Sequence, residues 1–142
     1  MKTSRKTIVE FDEQSVPLFD QLKAALKSVD GKAISNKEAF LIALAYGFKH
    51  GSKVSEIRRS NTGVRVEYWK ERDHVLMAAI QLHEKGNAET LGDLDERFEI
   101  AERYAQGGIL LLKDLLAKEA SFSQEFAAEL MESLPESVSA TQ

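Results

Sequence analysis

Two adjacent glycines, Gly107 and Gly108, sit inside Glu102-Arg-Tyr-Ala-Gln-Gly-Gly-Ile-Leu-Leu-Leu-Lys-Asp-Leu-Leu-Ala117, which otherwise reads as one long apolar-faced helix. Such a pair destabilises a helix interior by about 1–2 kcal/mol relative to alanines. A sequence that keeps it points to a close helix crossing, a kink or a contact site at that level. We expect the Gly107-Gly108 surface to meet a protein partner or a second copy of the chain. The feature constrains packing; it names no chemistry.

At 142 residues the chain is long enough for one domain with its own core, expected over residues 1–134 with 135–142 as a disordered tail. Its 43% apolar and 30% charged residues are ordinary for a globular protein. No run approaches the roughly 18 apolar residues of a membrane span. The basic start Met1-Lys-Thr-Ser-Arg-Lys6 leads into polar and charged residues instead of an apolar signal core, so a cytoplasmic location is expected. There is no cysteine, which excludes disulfides, thiolate metal ligands and a cysteine nucleophile. The net charge of −4 conceals an asymmetry: residues 1–83 hold 14 Lys/Arg against 10 Asp/Glu, and residues 84–142 hold 5 against 13. That split suits either a basic face for a polyanion and an acidic one for a protein, or two solvated surfaces.

The pattern predicts a mainly α fold: a compact domain of about five helices with a small β-hairpin and a short N-terminal strand. Residues 5–11 are rich in β-formers. Ser15 with Pro17 opens a first helix, lined by Leu18, Leu22, Ala25, Leu26 and Val29. Ser35-Asn-Lys-Glu38 is a capping box ahead of Ala39-Phe-Leu-Ile-Ala-Leu-Ala-Tyr-Gly-Phe48, apolar on every side and so the expected centre of the fold. Residues 53–59 and 64–69 flank Ser60-Asn-Thr-Gly63 and read as a hairpin near 53–69. A helix from Asp73 to Gly86-Asn87, a long one over 93–119 and a last one from about Ser121 to Leu134 complete the expectation.

Nothing in the chain assembles a catalytic set, and no enzyme, metal or cofactor is expected. His74 and His83 are nine residues apart, not the four that place two ligands on one helical face. Gly107-Gly108 follows no strand and lacks the Lys-Ser/Thr of a phosphate loop. Asp95, Glu96, Glu99 and Glu102 alternate with Arg97 and Arg103 at spacings that read as ion-pair support of an exposed helix. The basic stretch from Lys49 to Arg72 is more suggestive, with seven cations against Glu56, Glu67 and Glu71, and with Tyr68 and Trp69 interleaved. Arg58, Arg59, Arg65, Lys53 and Lys70 could reach phosphates and Trp69 support them, or the aromatics could anchor a solvated hairpin. An alternative is a ribbon-helix-helix regulator, given the strand-helix-helix order, with Arg5, Lys6 and Thr7 at the base edges.

Two segments carry a family resemblance. Ala39-Phe-Leu-Ile-Ala-Leu-Ala-Tyr-Gly-Phe-Lys-His-Gly-Ser-Lys-Val54 and Glu102-Arg-Tyr-Ala-Gln-Gly-Gly-Ile-Leu-Leu-Leu112 resemble the two motifs of a small family associated with the Dnd system of DNA phosphorothioation. The second motif runs Glu-Glu-Tyr-Ala-Asn-Gly-Gly in that family, so Arg103 and Gln106 depart from it. The resemblance spans roughly residues 35–118 and supplies no catalytic residues to carry over. It implies a non-enzymatic accessory, regulatory or assembly role in bacterial DNA modification or phage defence. Partners would be proteins of that system, a second copy of the chain, and DNA.

Overall fold

The computed structural model describes residues 6–26 and 31–117. The expected last helix from Ser121, the tail at 135–142 and Arg5 lie outside the described residues. No described helix is long and apolar enough to cross a membrane. The described chain runs β1 (Ile8–Glu10), α1 (Val16–Ala25), α2 (Asn36–Lys49), β2 (Gly63–Arg65), α3 (Glu71–Lys85) and α4 (Leu94–Ala117). Short 3-10 turns at Glu13–Ser15, Val66–Tyr68 and Ala88–Gly92 precede α1, α3 and α4.

The capping box works as its spacing predicts. Ser35 Oγ accepts the Glu38 N–H at 3.1 Å and Glu38 Oε1 accepts the Ser35 N–H at 3.0 Å. From that start α2 buries Ala39 through Ala45 and Gly47, and it packs chiefly against α4 with α1 and β2 at its flanks. A helix buried nearly all round is the centre of a fold, and α2 is. On one side Phe11 stacks on Phe19 at 3.9 Å between centroids, and Trp69 meets the edge of Phe40 at 5.4 Å. At the far end of α3, Gly86 takes the left-handed conformation (φ 78°) and returns its N–H to Leu82 O at 2.8 Å, closing the helix.

At the α2–α4 crossing, a Cβ on Gly108 would overlap the Ala43 carbonyl oxygen and lie 2.8 Å from Gly47 N. A Cβ on Gly47 would overlap Tyr104 O in return, and one on Gly107 would overlap Ser52 O. Three glycines therefore let two backbones touch. The close crossing expected at Gly107-Gly108 is present, but its counterpart is the chain's own α2 and the Ser52 turn. Both glycines are buried within the fold, so the docking surface expected there is corrected to an internal contact.

The strands pair differently from a local hairpin. Antiparallel β1 and β2 match Ile8 with Arg65, Val9 with Val64 and Glu10 with Gly63, while residues 53–59 form no strand. The physical reason is competition for backbone donors. Asp12 Oδ2 accepts the Arg58 N–H at 3.0 Å, and Glu10 Oε1 accepts the Ser60 and Asn61 N–H groups at 3.1 and 2.9 Å. With those amides held by carboxylates, and Asn61 at φ 60°, the segment is a pinned loop and no ladder forms along it. The free ribbon that a ribbon-helix-helix reading requires is absent among the described residues. One edge of β1 is on β2, and on the other the Glu10 N–H is bonded to Glu102 of α4 at 2.8 Å.

Candidate functional site

A buried polar cluster lies where β1, the 55–62 loop and α4 meet. Glu10 and Glu102 are 2% and 4% exposed, burial that a carboxylate tolerates only with partners. Lys6 supplies one, with Nζ 3.2 Å from Glu102 Oε2 and 3.9 Å from Glu10 Oε2. Arg59 supplies another, with Nη1 3.3 Å from Glu10 Oε2. The remaining capacity is taken by backbone amides: Ser60 and Asn61 on Glu10, and Glu10 itself on Glu102. Beside the cluster a cleft of about 300 Å³ opens between the loop and α4, lined by both carboxylates and by Arg59 and Arg103.

Burial pushes the Glu102 carboxyl above its ordinary value, and the Glu10 carboxylate adds to that push. The Glu10 N–H and the Lys6 ammonium oppose it. A carboxyl whose pKa is higher folded than unfolded gives stability that is complete below the unfolded value and lost as pH rises through the folded one. We therefore expect the wild type to gain stability relative to Glu102→Gln as pH falls from neutrality toward about 4.5. Urea titrations of both proteins across that range check the sign. A constant difference removes the assignment.

The sequence-predicted cations are dispersed. Lys53 is ion-paired with Glu84 and sits 5.7 Å from the Tyr104 ring centroid, facing α3 and α4. Lys70 stands at the start of α3, where its N–H goes to Asp73 at 2.8 Å and its side chain is exposed. Arg65 projects to solvent from β2, with Nε 3.2 Å from Glu67. Arg58 and Arg59 are neighbours on the pinned loop: the Arg59 side chain is 73% exposed, and Arg58 makes no ion pair among the described residues. The structure thus keeps Arg58 and Arg59 together on the loop, leaves Arg65 a few residues along the β1–β2 pair, and engages Lys53 with Glu84 of α3.

Trp69 is corrected outright. At 6% exposure against Phe40 it is core, and no base could stack on it; Tyr68 beside it is 60% exposed. The acidic α4 is corrected too. Arg97 and Glu102 are buried, with Arg97 Nε on Gln81 at 3.0 Å, Nη2 on Leu91 O at 2.9 Å and Nη1 3.3 Å from His74 Nδ1. Burial and the adjacent guanidinium hold His74 below the usual histidine range. Among the described residues no group of three or more His, Asp or Glu side chains is arranged to hold a metal ion. Sequence reasoning missed Glu10, Asp12 and Lys6 as organisers of the loop. The available signal was weak: an acidic residue inside an otherwise apolar strand.

A family model described as DNA sulphur modification system-associated protein 4 matches residues 13–142. No curated protein and no solved structure matches the chain. Within the matched region, the two motifs quoted above meet in space. Gly47 and Ser52 come from the first, Tyr104, Gly107 and Gly108 from the second, and together they make the close α2–α4 crossing.

Proposed function

The chain belongs to the DNA sulphur modification system-associated protein 4 family, and on that premise we propose that it is a non-enzymatic accessory protein of such a system that touches DNA backbone through Arg58, Arg59 and Arg65. The observation that carries this reading is the pinned loop. Its backbone N–H groups are fixed by Glu10 and Asp12, while the Arg58 side chain and most of the Arg59 guanidinium face solvent. A cation presented on ordered backbone adds no cost of ordering the loop to the side-chain entropy lost on binding, which favours contact with a phosphate. Arg65 lies opposite Ile8 and the loop is held at Glu10 and Asp12, two and four residues on, a span of about 7–13 Å at the rise of a strand. Several charges of a duplex fall within that distance, at about one per 1.7 Å of axis.

The net charge of −4 argues for local and modest affinity, with the system's proteins supplying the rest of the assembly. Fluorescence anisotropy with a short duplex at two salt concentrations tests the reading, beside the Arg58→Ala/Arg59→Ala/Arg65→Ala variant. Binding should weaken with salt, and the variant should lose most of it, with the salt slope reduced by up to about 3. A parallel duplex carrying a sulphur-modified backbone asks whether the modification is read. No binding at low salt removes DNA from the proposal and leaves docking to protein partners.

A further inference from the structure

The outward face of α3 is apolar where a surface helix should be polar. Its inner line is Asp73, Met77, Ile80 and Gln81, all buried. On the opposite line, at steps of four and three, stand Val75, Ala79 and Leu82; Val75 is 64% exposed, Leu82 40%, and Ala79 is exposed between them. Glu71 precedes Val75 by four residues and Lys85 follows Leu82 by three, so an anion and a cation terminate the same outer face. Glu71 makes no ion pair among the described residues. The Lys85 side chain is 42% exposed and is ion-paired with Glu96 of α4, Nζ to Oε2 at 3.6 Å.

We infer that this face pairs with a second copy of the chain, α3 against α3 in antiparallel about a two-fold axis near Ala78 and Ala79. The pattern is self-complementary under that operation. Val75 meets the partner's Leu82, and the alanines at the centre let the two helices approach to about 8–10 Å. In an antiparallel pair, residues on the same flank face each other, so Glu71 falls beside the partner's Lys85 and Lys85 beside the partner's Glu71. An ammonium carries three donors and can keep Glu96 while accepting this second carboxylate. One helix pair is a small interface, so the dimer is weak and concentration-dependent. The inference is independent of the DNA reading.

Sedimentation velocity of the full chain over a concentration series is the test, with circular dichroism melts to show that every variant is folded. The wild type should shift from monomer to dimer as concentration rises. Val75→Asp and Leu82→Asp, both at exposed positions, should each raise the dissociation constant about tenfold or more. The charge pair gives the sharper arm. Glu71→Lys and Lys85→Glu should each weaken self-association, since each sets like charges together. Mixed one to one they should associate more tightly than either alone, because only the mixed dimer restores both opposite pairs. A wild type that stays monomeric throughout overturns the proposal and gives the face to another protein. A dimer indifferent to Val75→Asp and Leu82→Asp, or a mixture no tighter than its components, overturns it equally.

Discussion

Gly108→Ala is expected to lower stability by about 3 kcal/mol or more, and the melting temperature by about 10 °C. The direction is not obvious from the helix alone. An alanine in a helix interior is worth about 1 kcal/mol over glycine, so an exposed site would gain from the change. Here the added Cβ overlaps Ala43 O and lies 2.8 Å from both Ala43 C and Gly47 N. All three are backbone atoms of α2, and no rotamer moves them. The two helices must separate, and their contact is the most extensive among the described elements. Gly92→Ala is the control: a Cβ there meets nothing within 4 Å, and its stability should stay within about 0.5 kcal/mol of wild type. Thermal melts of both variants decide the matter. A Gly108→Ala protein as stable as the control would mean that the crossing is looser than described.

What the sequence revealed and what it hid divide by range. The Ser35/Glu38 capping box, the stop at Gly86 and the buried run from Ala39 depend on residues within one or two turns, and each stands as the pattern predicts. The mainly helical class follows from those local signals. The strand pairing did not follow, because β1 and β2 are more than fifty residues apart and the 53–59 segment has the composition of a strand. What redirects it is a pair of acceptors, Glu10 and Asp12, whose reach to the Arg58–Asn61 amides no spacing rule encodes. Glu102 shows the same limit from another side. Its spacing to Arg103 and Glu99 fits a solvated helix, yet its actual partners are Lys6 and the Glu10 amide, nearly a hundred residues earlier. For Gly107 and Gly108, sequence registered that a backbone must come close. Whether that backbone belongs to the same chain is invisible without the fold.

The meeting of the two family motifs at one crossing also bears on where function can lie. Residues whose task is to let α2 and α4 touch are inside the protein and cannot meet a partner directly. Recognition would fall to exposed elements, and the two proposed above are the pinned loop with its arginines and the outer line of α3. Both stand on the α2–α4 pair, so Gly47, Gly107 and Gly108 would serve recognition only by holding those elements in place.

Glu10→Ala is expected to remove about 3–5 kcal/mol of stability and, in protein kept folded at low temperature, to weaken DNA binding as well. The stability loss follows from the count of groups abandoned. The Ser60 and Asn61 amides lose their acceptor, and Lys6 is left with Glu102 alone. A donor left unsatisfied out of reach of water forfeits about 1–3 kcal/mol, which applies to half-buried Ser60 more than to exposed Asn61, and the rest of the loss comes from unpairing the ions around Glu10. The effect on binding separates two accounts of the arginine surface. Glu10 is an anion against Arg59, so if net charge alone governed contact, deleting it would tighten DNA binding. If ordered presentation of Arg58 and Arg59 governs, the freed loop binds less well although a negative charge has gone. Glu10→Gln isolates the charge, since its amide oxygen can still accept both N–H groups. We expect its stability loss to be about 1–2 kcal/mol and its DNA affinity to equal or exceed wild type. Urea denaturation and anisotropy on the same two variants give four signs. Binding that tightens in Glu10→Ala as much as in Glu10→Gln would show that the pinned loop does nothing for recognition.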